Sequence, residues 1–476
     1  MITKDILNEL TGKRVHMVGI KGTGMTAFVE ILVSHGALVT GSDVPDTFYT
    51  DTILKELGVT VFTDFSEKHI NASVDWVIYS SAYSPEQNPE IMKAIALKIM
   101  VSTYPEALGL FSRKQYSVAV AGVHGKTTTT AILGRLCQAV QLPATILVGS
   151  QVNDFNNRCT CVLGKDYFIA ETCEYRANFL EFSPSIILLT SLEMDHPDFF
   201  TSLDHMKSVF KAYVLKLPDN GALVYCADDK NVEDLVRELK NEKPWIHYVP
   251  YGFGAENDFQ IINSREKPGK IGFTLKGFEE NFVLKIPGAH NVLNSAGAIA
   301  VMTLLIQHQN GRLNSKDVQA LSFGLTDFHG TKRRSEILGE RNGILFMDDY
   351  AHHPTAVKTT LLGIKKFYPQ RRLIVDFMSH TYSRTEKLFN EFAHCLQAAD
   401  GVILHPVYAS AREKASNGIN GKSLFDAVKN NRDEVYFFEK FEAAIVFLEN
   451  YLQAGDIFVT MGAGDNWKIG YQLYFD

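Results

Sequence analysis

The most informative segment in the central part of this chain is Ser117-Val-Ala-Val-Ala-Gly-Val-His-Gly-Lys-Thr-Thr-Thr-Thr130. Its first five residues are apolar or small, which predicts a buried β-strand, and a helical pattern follows to about Val140. The turn between the strand and the helix contains two glycines and a lysine. Because backbone N–H groups and the helix dipole converge at such a turn, the stretch predicts a polyphosphate-binding loop.

The residue types of this loop match the needs of a bound nucleotide. Lys126 is expected to neutralise the β- and γ-phosphates, and a threonine hydroxyl directly after it can ligate Mg²⁺. The spacing is shorter than the usual G-x-x-x-x-G-K-[ST] pattern, since Val120 stands at the first glycine position. A helix start that contains glycine and lysine for structural reasons alone is the alternative interpretation. The predicted ATP-binding residues of the loop are Gly122, His124, Gly125, Lys126, Thr127 and Thr128.

Two polar clusters follow other predicted strands of the same sheet. Glu171-Thr-Cys-Glu174 comes after a strand at 167–170, and Glu193-Met-Asp-His196 comes after a strand at 185–190. Because the carboxyl ends of parallel strands meet at one edge, Glu174 and His196 are expected to reach the same ATP. A histidine ligand is unusual for Mg²⁺, which prefers oxygen, and a surface turn is the alternative interpretation of the second cluster.

Strand and helix patterns alternate along the whole chain, which predicts α/β domains built on mainly parallel sheets with flanking helices. A chain of 476 residues is too long for a single core. Three domains are therefore expected: a Rossmann-like domain at 1–112, a P-loop ATPase domain at 113–325 and a second Rossmann-like domain at 326–476. The outer two are indicated by predicted strands at 14–19, 37–40 and 76–79, and at 344–347, 373–377, 401–404 and 456–460.

Composition limits the partners and the compartment. The formal net charge of −7 disfavours non-specific binding to nucleic acid, which needs a basic surface. Six cysteines without a C-x-x-C pair are typical of reduced thiols in a cytoplasmic protein. The first eleven residues include Lys4, Asp5 and Glu9 and do not form a signal peptide. No uncharged apolar run approaches the roughly 20 residues that span a bilayer. We therefore expect a cytoplasmic enzyme without nucleic-acid or membrane partners.

Taken in order, the motifs of the chain resemble those of the Mur ligases over nearly its full length. Several motifs are weak individually, but their order is highly specific. They are Gly19-Ile-Lys-Gly-Thr-Gly-Met25, Gly41-Ser-Asp43, Ser80-Ser-Ala82, Gly122 to Thr130, Glu171 to Phe179, Glu193-Met-Asp-His-Pro197, Gly288-Ala-His-Asn291 with Asn294, Gly330-Thr-Lys-Arg-Arg334, Asp348 to Thr355, His380-Thr-Tyr-Ser-Arg-Thr385 and Gly462-Ala-Gly464.

The resemblance implies a role for each domain. The central domain would bind ATP, with Lys126 on the phosphates and Thr127, Glu174 and His196 around two Mg²⁺ ions. Asn291 and Asn294 would lie near the adenine. The first domain would bind the UDP-sugar through Gly22, Thr23, Gly24, Met25, Ser42, Asp43, Ser80 and Ser81.

For the third domain the resemblance implies an amino-acid site. Arg334 would approach the γ-phosphate and Asp349 the ATP ribose. Arg384 can hold a carboxylate bidentately. The implied catalytic residues are Lys126, Glu174, His196, Arg334 and His352, and the implied pocket for L-alanine consists of Tyr350, His352, His380 and Arg384.

The family pattern implies an ATP-dependent ligase of bacterial peptidoglycan precursor synthesis. It would join the lactyl carboxylate of UDP-N-acetylmuramate to L-alanine through an acyl phosphate, as a monomer or a weak homodimer. One alternative is the recycling ligase that adds a whole tripeptide to the same UDP-sugar and shares the phosphate loop. A nicotinamide-dependent dehydrogenase is a distant alternative, suggested only by Gly19-x-x-Gly22-x-Gly24. A catalytically silent nucleotide-binding scaffold is the third.

Overall fold

The computed structural model describes residues 9–197, 199–409 and 418–475. The chain forms two compact units. The signal-peptide prediction used Lys4 and Asp5, which lie outside the described residues. The units do not coincide with the three predicted domains, whose limits stay a prediction. Unit 1 comprises Met1–Leu192, Lys207–Tyr251 and Gly297–Leu321, and unit 2 comprises Glu193–Met206, Gly252–Ala296 and Ser322–Asp476.

The first sheet of unit 1 is fully parallel, with the strand order β3-β2-β1-β4-β5. The order reverses between β1 and β4, which creates a crevice at the carboxyl ends of those strands, where open α/β sheets bind ligands. β3 and β5 escaped the sequence prediction because they are short edge strands whose side chains are mostly only partly buried. The elements are β1 (Arg14–Val18), α1 (Thr23–Ser34), β2 (Leu38–Ser42), α2 (Thr50–Glu56), β3 (Thr60–Phe62), β4 (Trp76–Tyr79), α3 (Pro89–Ala96), β5 (Met100–Thr103) and α4 (Tyr104–Ser112).

The second sheet has seven strands in the order β12-β11-β10-β6-β9-β7-β8, and of these pairs only β7–β8 is antiparallel. β6 lies between β9 and β10, and the residues directly after those two strands bond to β6: the Thr172 N–H donates to the Val120 carbonyl oxygen and the Thr190 N–H to the Ala121 carbonyl oxygen. The elements are β6 (Tyr116–Ala121), α5 (Lys126–Val140), β7 (Ala144–Val152), β8 (Arg158–Val162), β9 (Tyr167–Glu171), β10 (Ile186–Leu189), α6 (Leu203–Val214), β11 (Ala222–Cys226), α7 (Lys230–Glu242) and β12 (His247–Tyr251).

A small antiparallel sheet in unit 2 was not expected from the sequence. The side chains of its first strand are largely exposed and mostly polar. The sequence therefore contains no apolar run that would predict this strand. The helix Ala289–Asn310 that follows is long and apolar enough to span a membrane, so the expectation that no uncharged apolar run approaches that length was wrong. In the structure 78% of its apolar window is buried inside the protein, as in a core helix. The elements are β13 (Ile261–Lys267), β14 (Lys270–Leu275), β15 (Asn281–Leu284), α8 (Ala289–Asn310) and α9 (Ser315–Thr326).

The largest sheet of unit 2 has the order β16-β17-β21-β18-β19-β20, parallel except for β16–β17. The predicted α/β class with mainly parallel sheets is thereby confirmed. The elements are β16 (Glu336–Arg341), β17 (Ile344–Asp349), α10 (Pro354–Phe367), β18 (Arg372–Phe377), α11 (Tyr382–Lys387), α12 (Phe389–Cys395), β19 (Gly401–Leu404), α13 (Gly421–Lys429), β20 (Val435–Phe437), α14 (Phe441–Tyr451), β21 (Asp456–Met461) and α15 (Trp467–Phe475), and short 3-10 helices span Glu67–His69, Asn153–Phe155 and Tyr175–Glu181.

A buried ion pair joins β18 to the residue after β19. His405 Nε2 lies 2.8 Å from Asp376 Oδ2, and both side chains are fully buried. The His405 Nδ1 contacts the Phe438 carbonyl oxygen at 3.0 Å, and Asn466 donates to Asp376 Oδ1. Burial opposes the charge on the imidazole, but the Asp376 carboxylate outweighs burial and raises the pKa of His405.

This pair predicts a pH-dependent contribution to stability. Because the pKa of His405 is higher in the folded chain, its stabilisation is complete below the unfolded value of about 6.5 and is lost as pH rises through the folded value. We expect His405→Gln to lower the urea midpoint more at about pH 6 than at about pH 9. His247→Gln, at an exposed position on β12, is the control. A loss that does not vary with pH would contradict this account.

Candidate functional site

The predicted phosphate loop lies between β6 and the first residue of α5. Residues that follow β10 fix its backbone: the Thr190 hydroxyl donates to the His124 carbonyl oxygen at 2.5 Å. The His124 N–H donates to the Ser191 hydroxyl at 2.9 Å. Gly122 has a φ of +130° and Gly125 a φ of +81°, both in the left-handed region. The loop is therefore held in one conformation by neighbouring strand ends.

Gly122 offers a direct test of this conformation. A Cβ atom there would lie 2.2 Å from Thr190 Oγ1 and 2.9 Å from the Ser191 nitrogen, so Gly122→Ala must displace the loop. We expect its affinity for ADP to fall by about 10-fold or more, measured by calorimetry, since the loop donors lose their alignment. Gly58→Ala is the matched control, because its φ is also positive but no atom lies within 4 Å of the added carbon. Equal ADP affinity in the two variants would refute the loop geometry.

Lys126 and Glu174 form an ion pair beside the loop. The Lys126 Nζ lies 2.8 Å from Glu174 Oε2 and also donates to the Gly122 carbonyl oxygen at 2.5 Å. Only 12% of the lysine side chain and 3% of the glutamate side chain are exposed. Burial disfavours the ammonium, but the carboxylates of Glu174 and Glu171 outweigh burial and raise the pKa of Lys126. The Lys126 ammonium beside the loop is therefore charged at neutral pH.

Glu171 belongs to the same site and was not among the predicted site residues. Its Oε1 accepts a hydrogen bond from the Thr127 hydroxyl at 3.0 Å, and its Oε2 accepts one from the Gly149 N–H at 2.8 Å. The position of Glu171 at the end of β9, in the quoted cluster, was the available signal. Thr127, Glu171 and Glu174 together offer the oxygen donors that Mg²⁺ prefers, so this donor set fits the metal.

The predicted UDP-sugar residues lie at the carboxyl ends of β1, β2 and β4. The group Gly22, Thr23, Gly24 and Met25 leads into and begins α1, and the Thr23 hydroxyl accepts a hydrogen bond from Tyr49 at 2.9 Å. Ser80 and Ser81 directly follow β4. All these positions border the point where the strand order reverses, which agrees with a ligand crevice.

Ser42 and Asp43 have different surroundings at the end of β2. The Ser42 side chain is fully buried, and its hydroxyl donates to the Glu90 carboxylate. Asp43 accepts hydrogen bonds from the Lys21 N–H at 2.7 Å and from the Tyr83 hydroxyl at 3.1 Å. Both side chains therefore hold the surrounding loops in place, and their contact with UDP stays a prediction.

Asn291 and Asn294, the predicted adenine neighbours, both lie in the first two turns of α8. The Asn294 amide donates to Asn291 Oδ1 at 3.0 Å, and the Asn291 amide donates to the Pro287 carbonyl oxygen at 2.7 Å. Both side chains are buried. The structure thus brings the two asparagines together in unit 2, and their adenine contact stays a prediction.

The four predicted amino-acid residues come together within unit 2. The rings of Tyr350 and His352 are 5.2 Å apart, and those of His352 and His380 are 5.9 Å apart. Arg384 Nη1 lies 3.3 Å from His380 Nδ1. Burial and the nearby Arg384 hold the pKa of His352 well below its usual value, so its imidazole is neutral near pH 7. The cluster combines the fixed Arg384 cation with a neutral imidazole at His352.

Arg384 has a carboxylate partner that sequence reasoning did not assign. Its Nε and Nη2 donate to Asp195 Oδ1 at 3.2 and 2.9 Å, and both side chains are buried. Burial opposes ionisation of Asp195, but the Arg384 guanidinium outweighs burial and holds the pKa of that carboxyl below its usual range. His196, the predicted metal ligand, follows Asp195 in unit 2, so its place at a triphosphate stays a prediction.

Arg333 was also not among the predicted site residues, although it directly precedes the predicted Arg334. Its Nε lies 3.0 Å from Asp348 Oδ2, and its Nη2 donates to the Gly462 carbonyl oxygen at 2.7 Å. Burial raises the pKa of Asp348 to about 6, against the opposing effect of Arg333. Both arginines lie 5.0 Å from the centre of the Tyr350 ring. Arg333 therefore ties together the strand ends around Tyr350.

Asp349, the predicted ribose ligand, ends β17. Its Oδ2 accepts a hydrogen bond from the Ser335 N–H at 2.6 Å, and its Oδ1 accepts one from the Ala351 N–H at 2.7 Å. Its side chain is 4% exposed. These bonds fix the loops on either side of Arg334 and Tyr350, and the ribose contact stays a prediction.

Comparison with characterised proteins shows full-length similarity. The chain is 48% identical to the UDP-N-acetylmuramate–L-alanine ligase of Treponema pallidum, over 98% of this chain and 97% of that protein. It is 40% identical to the corresponding ligase of Borreliella burgdorferi, over 95% of this chain and 97% of that protein.

Solved structures agree. The UDP-N-acetylmuramate-alanine ligase of Thermotoga maritima superposes with a TM-score of 0.77 at 25% identity, over 97% of this chain and 98% of that one. A murein peptide ligase of Psychrobacter arcticus superposes with a TM-score of 0.65 at 24% identity, over 97% of this chain and 98% of that one, which shows the shared fold alone.

Three domain families match in chain order. Residues 14–116 match the Mur ligase family, catalytic domain. Residues 120–302 match the Mur ligase middle domain, and residues 333–464 match the Mur ligase, glutamate ligase domain. The matched residues make up most of the chain and include the phosphate loop, the Glu171–Glu174 cluster and the Arg384 cluster. The chain therefore belongs to the Mur ligase family.

Proposed function

We propose that this protein is an ATP-dependent ligase that joins L-alanine to UDP-N-acetylmuramate in peptidoglycan precursor synthesis. The observation that carries the proposal is the charged Lys126–Glu174 pair on a glycine loop, in a chain 48% identical over nearly its full length to a ligase of that activity. The cluster of Arg384 with His352 and His380 supports a site for a small amino acid. The enzyme would act in the cytoplasm on small-molecule substrates.

The chemistry requires activation of a carboxylate, because amide formation in water is uphill. The lactyl carboxylate attacks the γ-phosphorus of ATP, which gives an acyl phosphate and ADP. Lys126 offsets the repulsion between this anionic nucleophile and the triphosphate. Mg²⁺, held by donors such as the Thr127 hydroxyl and the Glu174 carboxylate, would supply further neutralisation of the phosphate charge. Arg334 and His196 are proposed to complete the catalytic set.

In the second step the alanine amine attacks the acyl carbon, and phosphate leaves. The amine must be neutral to attack. The lowered pKa of His352 keeps its imidazole neutral near pH 7 but makes it a weak base. The ring would therefore take the proton that the nitrogen releases after it has bonded to the acyl carbon, because that proton is far more acidic than one on a free ammonium. Arg384, beside His380, would hold the alanine carboxylate. Closure of the site against water would protect the acyl phosphate from hydrolysis.

The test is phosphate release with ATP, Mg²⁺ and UDP-N-acetylmuramate while the acceptor is varied. We expect release with L-alanine and little with the tripeptide L-alanyl-γ-D-glutamyl-meso-diaminopimelate. A preference for the tripeptide would support the recycling alternative instead. Release that does not depend on any acceptor would contradict a ligase. Saturable NADH fluorescence would revive the dehydrogenase alternative, and no turnover under any condition would favour the silent scaffold.

A further inference from the structure

The Asp195–Arg384 ion pair uses only part of the hydrogen-bonding capacity of both residues. The guanidinium has five N–H groups, and Asp195 Oδ1 takes two of them, one from Nε and one from Nη2. The Nη1 group contacts His380 Nδ1 at 3.3 Å. Nη1 also lies 3.5 Å from the His380 carbonyl oxygen, so both of its contacts are long. The remaining N–H of Nη2 and the weakly bonded N–H groups of Nη1 can therefore donate to a second carboxylate.

Asp195 also retains an unused oxygen. Its Oδ1 accepts from Arg384 and, in addition, from the His196 N–H at 2.7 Å. For Oδ2, the His196 Nε2 atom lies 3.8 Å away, which is too long for a hydrogen bond. Because Asp195 is a buried carboxylate and its Oδ2 atom has no hydrogen bond from the described residues, that atom can accept hydrogen bonds from a cationic group.

The backbone just before Arg384 is strained at Thr381. Thr381, the residue before α11, has a φ of +67°, which is unusual for a β-branched residue. Its hydroxyl accepts from the Arg384 N–H at 3.4 Å, and its carbonyl oxygen accepts from the Thr385 hydroxyl at 2.7 Å. Strain of this kind is typical of functional sites, where neighbouring contacts hold it in place.

We propose that Asp195 is a positioning residue that makes this site specific for a free α-amino acid. It holds the Nε–Nη2 edge of Arg384, so that the remaining end of the guanidinium faces the α-carboxylate, and it offers Oδ2 to the α-ammonium. The Arg384–Asp195 pair is then complementary in charge to a zwitterion. A peptide lacks a carboxylate beside its terminal ammonium and does not match the pair. This inference rests on the proposed function.

The decisive variant is Asp195→Asn, which preserves the size of the side chain and removes its charge. We expect the KM for L-alanine to rise about 10-fold or more, because charge-assisted hydrogen bonds are lost, while the KM for ATP changes less than about two-fold. We also expect the preference for L-alanine over L-alaninamide, which lacks the carboxylate, to shrink. Asp204→Asn, at an exposed position in the first turn of α6, is the matched control.

Three outcomes would overturn the inference. An unchanged alanine KM and an unchanged alanine-to-alaninamide ratio, with only a lower unfolding temperature, would make the pair purely structural. A lower KM would mean that Asp195 competes with the substrate. If Asp195→Asn changed only the dependence of the rate on ATP or Mg²⁺ concentration, Asp195 would act through the neighbouring His196 instead. If Asp195→Asn does not fold, Asp195→Glu must keep the alanine-to-alaninamide preference while raising the alanine KM. Failure of the unsubstituted enzyme to use alanine would instead refute the proposed function.

Discussion

Lys126→Ala is expected to reduce ATP-dependent ligation by about 100- to 1,000-fold, the usual effect of removing one preorganised charge from a transition state. The Lys126 ammonium is held by the Gly122 carbonyl oxygen and Glu174, and no other lysine or arginine of the quoted loop can replace it. The measurement is ADP release with saturating UDP-N-acetylmuramate and L-alanine, together with the unfolding temperature.

Lys165→Ala is the control, because this lysine is exposed at the opposite end of the neighbouring strand β9. We expect it to retain full turnover. Turnover within about two-fold of the unsubstituted enzyme in Lys126→Ala would remove the lysine from the phosphate site. A similar loss in both variants would show that the effect is a general change of surface charge.

Glu174→Gln is expected to reduce both turnover and stability. Removing one partner of a fully buried ion pair costs about 3–5 kcal/mol, and the 12% exposure of Lys126 places the expected loss toward or below the lower end of that range. Turnover should fall by about 100-fold, since the lysine loses its orientation and a proposed Mg²⁺ ligand is removed. The measurements are ADP release and thermal unfolding.

The control for this variant is Glu181→Gln. Glu181 is exposed and is the last residue of the 3-10 helix that begins directly after Glu174. The double variant Lys126→Ala with Glu174→Gln tests the pairing itself. Because each residue loses its partner in the single variants, the stability losses should be less than additive in the double variant. Strict additivity would show that the two side chains do not interact in solution.

Much of the fold was predictable because its strands are apolar and fully buried. β4 and β19 have the predicted bounds, since each lies in the interior of a parallel sheet and forms a continuous apolar run. β13 was not predictable, because five of its seven residues are exposed and its pattern is polar. A strand such as β13, at the edge of a sheet and mostly exposed, does not have the continuous apolar run on which the strand prediction depends.

Some residues of the candidate site could be predicted from the sequence, and others could not. Lys126 and the loop were recognisable because the strand, the glycine turn and the helix start are adjacent in the chain. Glu171 and Arg333 were not assigned, although each lies beside a predicted residue, because the role of a charged side chain depends on its partner. Arg333 binds Asp348 and the Gly462 carbonyl oxygen, which lies 129 residues away in the chain.

The α/β class, the glycine loop and the family could be inferred from the amino-acid sequence alone, because they depend on local patterns of burial, turn chemistry and motif order. Which charged side chains pair with each other depends on the folded structure. Lys126 and Glu174 are 48 residues apart in the chain, and Asp195 and Arg384 are 189 residues apart. Such pairs form because strand ends of a parallel sheet converge and loops pack, and burial then makes an unpaired charge too costly to retain.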